Sequence, residues 1–219
     1  MSEGNREERV ARFREIDLYP VTCESLSAGR TNLEILRAII DGGARIIQLR
    51  DKECSTRALY RMAERFREET VKAGVLLIIN DRMDVALAVG ADGVHLGQDD
   101  LPLEESRRIM RNRIVGISTH SLEQAREAEA GGADYIGFGP IFQTATKDAG
   151  IPQGVDILKI IKQNVRIPIV AIGGIGIDSV TDVMNAGADC IAVATAICKG
   201  DITENARKFV HTLQTMKGR

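Results

Sequence analysis

The sequence predicts an α/β protein: a single eightfold β/α (TIM) barrel with an extra N-terminal helix. A Gly-Ala phrase recurs at Gly43, Gly90, Gly132 and Gly187, and Asp follows it in three of the four copies. Each copy comes after a helical pattern and before a short apolar run, so each indicates a helix-to-strand turn. The copies stand 47, 42 and 55 residues apart, about two strand–helix units. Four copies therefore imply about eight units, the number in a closed barrel.

Eight apolar runs occupy the strand positions between and beside these turns. The predicted strands are residues 18–23, 46–50, 76–79, 93–96, 114–117, 135–139, 169–172 and 190–194. Most are continuous apolar runs, as expected for parallel strands that are covered on both faces. A doubly wound open sheet is the alternative, but the Gly-x-Gly-x-x-Gly motif is missing after the first strand.

Start signals precede several of the predicted helices. They are capping boxes at Thr31 with Glu34 and at Ser121 with Gln124, Pro102 in a first turn, and Asp178 as an N-cap. Residues 1–15 are expected to form a charged helical extension that either closes the barrel bottom or lies on its surface. Residues 16–219 are the predicted β/α barrel catalytic domain.

Composition argues against several classes of protein. The chain of 219 residues carries 29 Lys and Arg against 31 Asp and Glu and has no Trp, so no nucleic-acid or membrane partner is expected. Cys23, Cys54, Cys190 and Cys198 show no Cys-x-x-Cys spacing, which favours buried free thiols over disulfides or a zinc site. No signal peptide or membrane span is predicted. We therefore expect a cytoplasmic protein, and homo-oligomerisation is left open.

The clearest functional pattern lies at the end of the second predicted strand. Gln48, Arg50 and Lys52 are two residues apart, and such residues point to the same face of an extended chain. An amide, a guanidinium and an ammonium group thus converge at the barrel end where active sites lie. The pattern predicts an anionic ligand, a phosphate or a pyrophosphate.

Acidic residues end the two neighbouring strands. Asn80 and Asp81 end the third, and Asp100 follows the fourth. Two carboxylates beside a phosphate site suit Mg²⁺, which binds one or two protein carboxylates together with phosphate oxygens and water. Alternatively, Asp81 caps the next helix and Asp100 favours the helix N-terminus beside Pro102. Their pairing across adjacent strand ends favours the metal.

The seventh and eighth strand ends indicate a second anion site. Gly173 and Gly174 follow one strand, and Ala194 and Thr195 follow the other. Barrels commonly bind phosphate at this position, through backbone N–H groups and a short helix. For the two glycines, plain turn geometry is the alternative.

The longest strand-to-helix loop holds Thr144, Thr146 and Lys147, and we expect it to act as a mobile lid. The alternative for Lys147 is an ordinary exposed lysine. His95 and His120 are interpreted as hydrogen-bonded packing residues rather than general bases, because neither has a carboxylate partner nearby in the sequence.

Taken together, these phrases resemble the thiamine phosphate synthase (thiamine-phosphate pyrophosphorylase) family. The matching stretches are QLRDK at 48–52, IND at 79–81, GVHLGQDD at 93–100, GIS at 116–118, GPIF at 139–142, TATK at 144–147 and IGGI at 172–175. They follow one another in the family's order. The resemblance implies an eightfold β/α barrel that joins hydroxymethylpyrimidine pyrophosphate to a thiazole phosphate, giving thiamine phosphate and pyrophosphate.

The resemblance also implies roles for individual residues. Arg50, Lys52 and Lys147 would be the catalytic residues that neutralise the departing pyrophosphate, and Asp81 and Asp100 would hold Mg²⁺. The implied binding residues are Gln48, Arg50, Lys52, Asn80 and Lys147 for the pyrimidine pyrophosphate, Ser118 for the pyrophosphate, and Thr144, Thr146, Gly174, Ala194 and Thr195 for the thiazole phosphate.

The chain departs from the family pattern in three places. Gln143 stands where Pro is frequent, Ala194 and Thr195 replace Val or Ile followed by Ser, and the loop after Lys147 is short. Two other functions are considered: a thiazole tautomerase-like relative, and a non-catalytic barrel that binds phosphate. The pyrophosphate-handling cations and carboxylates argue against both.

Overall fold

The computed structural model describes residues 5–144 and 150–218. Eight parallel strands form its sheet: β1 Leu18–Pro20, β2 Ile46–Leu49, β3 Leu76–Asn80, β4 Gly93–Leu96, β5 Ile114–Thr119, β6 Tyr135–Phe138, β7 Ile169–Ile172 and β8 Cys190–Val193. The α-helices are α1 Arg6–Arg14, α2 Asn32–Asp41, α3 Thr56–Ala73, α4 Met83–Ala88, α5 Leu103–Met110, α6 Leu122–Ala130, α7 Gly154–Asn164, α8 Val180–Asn185, α9 Thr195–Cys198 and α10 Ile202–Met216. Short 3₁₀ turns lie at Glu24–Leu26 and Ile177–Ser179.

The order of the strands confirms the predicted barrel. Each strand pairs in parallel with its neighbour in the chain from β2 to β8, and β8 pairs with β1. A bridge between Val21 and Gln48 closes the ring, where the Thr22 N–H also donates to the Gln48 carbonyl at 3.0 Å. An open doubly wound sheet, the alternative, is thereby excluded. β1 is shorter than predicted, since its ladder ends at Pro20.

The N-terminal helix closes the bottom of the barrel. Phe13 on α1 is only 2% exposed, and its ring stacks on Tyr135 with centroids 4.4 Å apart. It also meets Tyr19 edge-on, 6.2 Å away. The three rings fill the lower part of the barrel interior together with apolar residues of the inward face, among them Ile46 and Ile114. Helix and barrel thus share one core, and the division of the chain at residue 15 stays a prediction.

The repeated phrase builds the same turn several times. Gly90 and Gly187 have φ of +66° and +106° at the ends of their helices, which only glycine adopts at little cost. In each of three copies, the carboxylate that follows accepts the backbone N–H of a residue at the preceding strand and binds a cation from the helix that comes before that strand. The triads are Asp92 with Leu77 and Arg67, Asp134 with Val115 and Arg107, and Asp189 with Ile169 and Lys162, at 2.7–2.9 Å.

Two of the three carboxylates also hold the N-terminal helix. Arg6 donates to Asp134 at 2.8 Å, and Arg9 lies 3.5 Å from Asp92. In the first copy of the phrase Arg45 replaces the aspartate, and its guanidinium donates to the Glu15 carbonyl just after α1. Three of the four copies therefore contact the segment that closes the barrel. The fourth, at Asp189, pairs with Lys162 and Ile169 in the barrel wall.

The predicted helix caps are borne out in part. At α2, Thr31 and Glu34 form the reciprocal capping box. At α6, the Ser121 hydroxyl accepts the Gln124 N–H, but the Gln124 side chain accepts from the N–H one residue earlier, at His120. That second capping box was therefore wrong as predicted, since its return bond misses the N-cap residue.

Two further helix starts are shifted. Pro102 immediately precedes α5 rather than lying in its first turn. Asp178 is not an N-cap: it lies inside the 3₁₀ turn Ile177–Ser179, and α8 begins only at Val180. The Ser179 hydroxyl supplies the local bond instead, accepting the Gly176 N–H at 3.1 Å. This bond lies within the 3₁₀ turn, and α8 itself has no side-chain hydrogen bond at its N-cap.

The four cysteines are free thiols, as predicted. Cys190 and Cys198 are buried, whereas Cys23 and Cys54 are partly exposed. Within residues 5–144 and 150–218, no helix is long and apolar enough to cross a membrane.

Truncating Phe13 tests whether α1 is part of the core. Phe13→Ala should lower the free energy of unfolding by about 3 kcal/mol, because it empties a buried ring position. Phe13→Leu should retain most of that stability, and Arg14→Ala, on the exposed face of the same helix, should leave it unchanged. Urea unfolding measures all three. A loss below about 1 kcal/mol in Phe13→Ala would contradict the closing role of α1.

Candidate active site

A cavity of about 830 Å³ opens at the carboxyl ends of the strands. Its lining includes ten of the residues predicted for the site: Gln48, Arg50, Lys52, Asn80, Asp81, Ser118, Thr144, Gly174, Ala194 and Thr195. Asp100 lies beside this lining, in contact with Asp81. Thr146 and Lys147 lie outside the described residues. The barrel thus brings together side chains that are up to 147 positions apart in the chain (195 − 48).

One wall of the cavity is cationic. Arg50 follows β2, and its backbone is clamped by Thr22, whose hydroxyl accepts the Arg50 N–H at 2.9 Å. No ion pair engages the Arg50 guanidinium within the described part of the chain. Lys52 is more exposed, and its ammonium lies 3.4 Å from the Asp81 carboxylate. This wall therefore offers one uncommitted cation and one that is loosely paired.

Two carboxylates face each other next to this wall. Asp81 adopts φ +60°, and its N–H donates to the His95 carbonyl at 2.8 Å. The Asp100 carboxylate accepts the Gly97 N–H at 2.6 Å. Burial raises the pKa of the Asp81 carboxyl, and the charge of Asp100 raises it further, while Lys52 acts in the opposite direction. The local fold therefore holds an acidic group where its charge is disfavoured.

Neither carboxylate caps a helix. α4 begins at Met83, and α5 at Leu103, and neither helix has a side-chain hydrogen bond at its N-cap. The capping alternative for Asp81 was therefore wrong, whereas a favourable effect of the Asp100 charge on the N-terminus of α5 stays a prediction. No group of three or more His, Cys, Asp or Glu residues that could hold a metal occurs in the part of the chain described. Two oxygen donors remain, and such a pair fits Mg²⁺, which completes its shell with phosphate and water.

The opposite wall is formed by backbone. Gly173 and Gly174 have φ of +100° and +66°. A Cβ at Gly174 would lie 2.4 Å from the Gln143 carbonyl, so no side chain fits there. Thr195 begins the short helix α9 close by, and Lys199, which the sequence patterns missed, also lines the cavity at the end of that helix. The wall leaves backbone atoms accessible to an anion.

The two histidines have different environments. His95 is bonded on both ring nitrogens, Nδ1 to the Tyr135 hydroxyl and Nε2 to the Ser118 hydroxyl, each at 2.9 Å. Burial lowers the pKa of His95 to about 4, and the nearby Asp100 opposes this shift. His120 is exposed, with Nδ1 2.6 Å from the Gly139 carbonyl. The interpretation of His95 as a hydrogen-bonded packing residue agrees with this geometry.

Comparison with known proteins identifies the family to which this chain belongs. The family model described as thiamine monophosphate synthase matches residues 18–197. The chain belongs to the thiamine monophosphate synthase family. It is 50% identical to the thiamine-phosphate synthase of Chloroflexus aurantiacus over 202 residues, covering 91% of this chain and 94% of that one. It is 42% identical to the thiamine-phosphate synthase of Dictyoglomus turgidum over 216 residues, 97% of each chain.

A solved structure supports the same assignment. Thiamine phosphate pyrophosphorylase from Pyrococcus furiosus superposes with a TM-score of 0.87 at 39% identity, over 94% of this chain and 98% of that one. Two of the three departures of this family member fall on the backbone wall of the cavity, and the third, the short loop after Lys147, lies partly outside the described residues. Gln143, Ala194 and Thr195 all line it, and the backbone atoms there do not depend on side-chain identity.

Several cavity residues were not predicted for this thiamine monophosphate synthase family member. Thr22 and Tyr19 line the cavity, and Tyr135 lies behind this lining, in contact with Tyr19. The two tyrosines carried no signal, since a tyrosine in an apolar strand is indistinguishable from core. Both tyrosines prove to be buried and hydrogen-bonded to each other at 2.8 Å. Only the spatial neighbours of a tyrosine hydroxyl could have marked them.

Replacing Asp81 by Asn tests whether the ionised carboxylate of Asp81 destabilises the folded state. A raised carboxyl pKa means that the folded state is destabilised by the charged form above that pKa. Asp81→Asn should therefore raise Tm by about 2 °C at pH 7 without divalent cations, and the gain should shrink as pH falls through the carboxyl range. Asn also tolerates the left-handed conformation.

Asp84 provides a matched control with the opposite sign. Its pKa is lowered chiefly by its hydrogen bond with Arg82, so its charged form stabilises the fold at pH 7 and this contribution is lost on acidification. Asp84→Asn should therefore lower Tm slightly. Scanning calorimetry at pH 7 and at pH 3.5 measures both variants. Equal shifts in the same direction would show that Asp81 is an ordinary surface carboxylate.

Proposed function

We propose that the chain is a thiamine-phosphate synthase, a transferase of thiamine biosynthesis. It would join hydroxymethylpyrimidine pyrophosphate to a thiazole phosphate and release thiamine phosphate and pyrophosphate. The observation that carries this proposal is the family match over residues 18–197, together with the near full-length likeness to curated synthases. The cavity supports it independently, because a cationic wall and a backbone anion site face each other across one space.

The cationic wall is the proposed site of the pyrimidine pyrophosphate. Arg50 and Lys52 would neutralise the pyrophosphate, and Gln48 and Asn80 would bind the pyrimidine side. Ser118, on the neighbouring wall, would contact the pyrophosphate. The Arg50 guanidinium suits this role because it has no competing ion pair among the described residues, and Lys52 has only a loose one at 3.4 Å.

Asp81 and Asp100 would hold Mg²⁺. When bound, the ion would offset the negative charge of the pyrophosphate during its departure. The raised pKa of Asp81 supports this assignment, because a carboxylate held beside another carboxylate gains most from a cation. Lys52, whose ammonium lies 3.4 Å from Asp81, would then be available to the phosphate oxygens.

The backbone wall is the proposed site of the thiazole phosphate. Gly174, Ala194 and Thr195 would contact the phosphate, with Thr144 at the edge of the cavity. Thr146 and Lys147, which lie outside the described residues, are proposed on the resemblance alone: Thr146 for the thiazole phosphate and Lys147 for the pyrophosphate. This arrangement would hold the thiazole nitrogen towards the pyrimidine methylene carbon.

The proposed reaction needs positioning and charge rather than a protein nucleophile. The bond between the methylene carbon and the pyrophosphate oxygen breaks first, and its electron pair leaves with pyrophosphate. The amino-substituted pyrimidine ring stabilises the resulting cation, and the thiazole nitrogen then forms the new C–N bond with its lone pair. No side chain has to take a proton in these steps. The fully bonded, uncharged state of His95 is compatible with that.

An assay with both substrates tests the proposed function. The protein should form thiamine phosphate and pyrophosphate with Mg²⁺ and lose activity when the ion is removed by EDTA, recovering when Mg²⁺ is restored. Chromatography of the products measures this. Isomerisation of the thiazole alone would favour a tautomerase, and binding of thiazole phosphate without turnover would favour a non-catalytic barrel.

A lysine pair tests the cationic wall. Lys52→Ala should lower kcat/KM by about 10²-fold, because one positioned cation at the departing pyrophosphate is lost. Lys72→Ala removes an exposed lysine from α3, away from the cavity, and should leave kcat/KM unchanged. Steady-state kinetics at saturating Mg²⁺ compares them. Equal activity of the two variants would remove Lys52 from the proposed site.

A further inference from the structure

A continuous chain of hydrogen bonds crosses the interior of the barrel beneath the cavity. Gln48 Nε2 lies 3.1 Å from the Tyr19 hydroxyl, which lies 2.8 Å from the Tyr135 hydroxyl. The Tyr135 hydroxyl lies 2.9 Å from Nδ1 of His95, whose Nε2 lies 2.9 Å from the Ser118 hydroxyl. We call these five residues the barrel chain. It joins the end of β2 to the end of β5 through β1, β6 and β4.

The direction of every bond in the barrel chain follows from its first member. The amide nitrogen of Gln48 can only donate, so the Tyr19 oxygen accepts there. A tyrosine hydroxyl has one proton, and a buried proton without an acceptor is costly. Tyr19 therefore donates to Tyr135, and Tyr135 in turn donates to the next member of the chain. Burial raises the pKa of both tyrosines, which keeps these protons in place.

The tautomer of His95 follows from the same argument. Its Nδ1 accepts the Tyr135 proton, so the ring proton of the neutral imidazole sits on Nε2. Nε2–H then donates to the Ser118 oxygen. The Ser118 hydroxyl proton is consequently not used within the barrel chain, and Ser118 lines the cavity. It is available to a ligand oxygen.

The surrounding backbone leaves room for this arrangement. A Cβ at Gly116 would lie 2.1 Å from Cζ of Tyr135, and one at Gly137 would lie 3.0 Å from Cε1 of His95. Phe13 and His95 both stack on the Tyr135 ring, at 4.4 and 5.5 Å. The rings of Tyr135 and His95 therefore require glycine at these positions of β5 and β6. Packing from several sides fixes where the two rings lie.

We propose that Tyr135 and His95 are positioning residues that fix Ser118 as a hydrogen-bond donor to the pyrophosphate. Gln48 and Tyr19 set the direction of the barrel chain from its other end. The inference rests on the proposed function, since that function supplies the pyrophosphate. No proton is transferred. The Ser118 hydroxyl contributes a hydrogen bond whose strength grows as negative charge develops on the departing oxygens.

The tautomer provides a test that is independent of activity. In ¹⁵N NMR at pH 7, His95 should show a protonated Nε2 and an unprotonated Nδ1, and Tyr135→Phe should remove this preference. The chain has three histidines, and the spectrum of His95→Gln identifies the His95 signals. A wild-type His95 protonated on Nδ1 would overturn the inference.

A double-mutant cycle tests the connection to Ser118. Tyr135→Phe and Ser118→Ala should each lower kcat by about tenfold or more, and the double variant should be no slower than Ser118→Ala. Independent losses that multiply in the double variant would overturn the inference, because Tyr135 would then not act through Ser118. Tyr60→Phe, which removes a hydroxyl that donates to Glu64 on the exposed face of α3, should keep full activity.

Two substitutions of His95 provide a test in case the Tyr135→Phe variant fails to fold. His95→Gln keeps an N–H donor for Ser118 and an oxygen acceptor for Tyr135, so it should retain more kcat than His95→Leu, with both Tm values recorded. Equal losses would overturn the inference. An inactive wild-type protein would instead overturn the proposed function, and the inference with it, so the two failures are distinguishable.

Discussion

The interior of the barrel has to be filled, and the aromatic layer of Phe13, Tyr19 and Tyr135 fills its lower part. Phe13 can be buried without further partners, but each tyrosine brings a polar hydroxyl group into the buried interior. Those hydroxyls reach upward to Gln48 and His95. The packing requirement at the bottom thus determines the hydrogen bonding at the floor of the cavity. Stability and site geometry depend on the same rings, and both depend on the helix that supplies Phe13.

Aspartate has opposite roles at the two ends of the barrel. At the bottom, Asp134 is buried but accepts a backbone N–H and two guanidinium groups, which offset the loss of hydration. At the top, Asp81 has a second carboxylate as its neighbour and one exposed lysine as its only close cation among the described residues. The contacts of Asp134 stabilise the fold by themselves. Those of Asp81 do so only when a bound ligand supplies positive charge. A carboxylate whose charge is disfavoured in this way is typical of a functional position.

The spacing of the repeated turns was sufficient to predict the barrel, because adjacent β/α units in such folds are also adjacent in space. It also predicted that the carboxylates after the third and fourth strands would lie near the cations after the second, and Lys52 indeed lies beside Asp81. Cap details such as Asp178 were less predictable, because several hydroxyl and acidic residues compete for the same N–H groups within one turn. The bonds between Tyr19, Tyr135 and His95 cross the barrel interior and join strands that are not neighbours. No local pattern encodes such contacts.

The charges at the cavity are close to balanced before any ligand binds. Arg50 and Lys52 stand against Asp81 and Asp100, and Lys199 and Asp99, which also line the cavity, add one charge of each sign. A pyrophosphate carries more negative charge than this wall alone can neutralise, and the carboxylates repel it. A divalent cation alone would likewise leave the two positive side chains facing it. The balance therefore favours an anion and a cation that arrive together over either one alone. An uncharged donor on the adjacent wall, such as Ser118, adds selectivity for the anion without changing that balance.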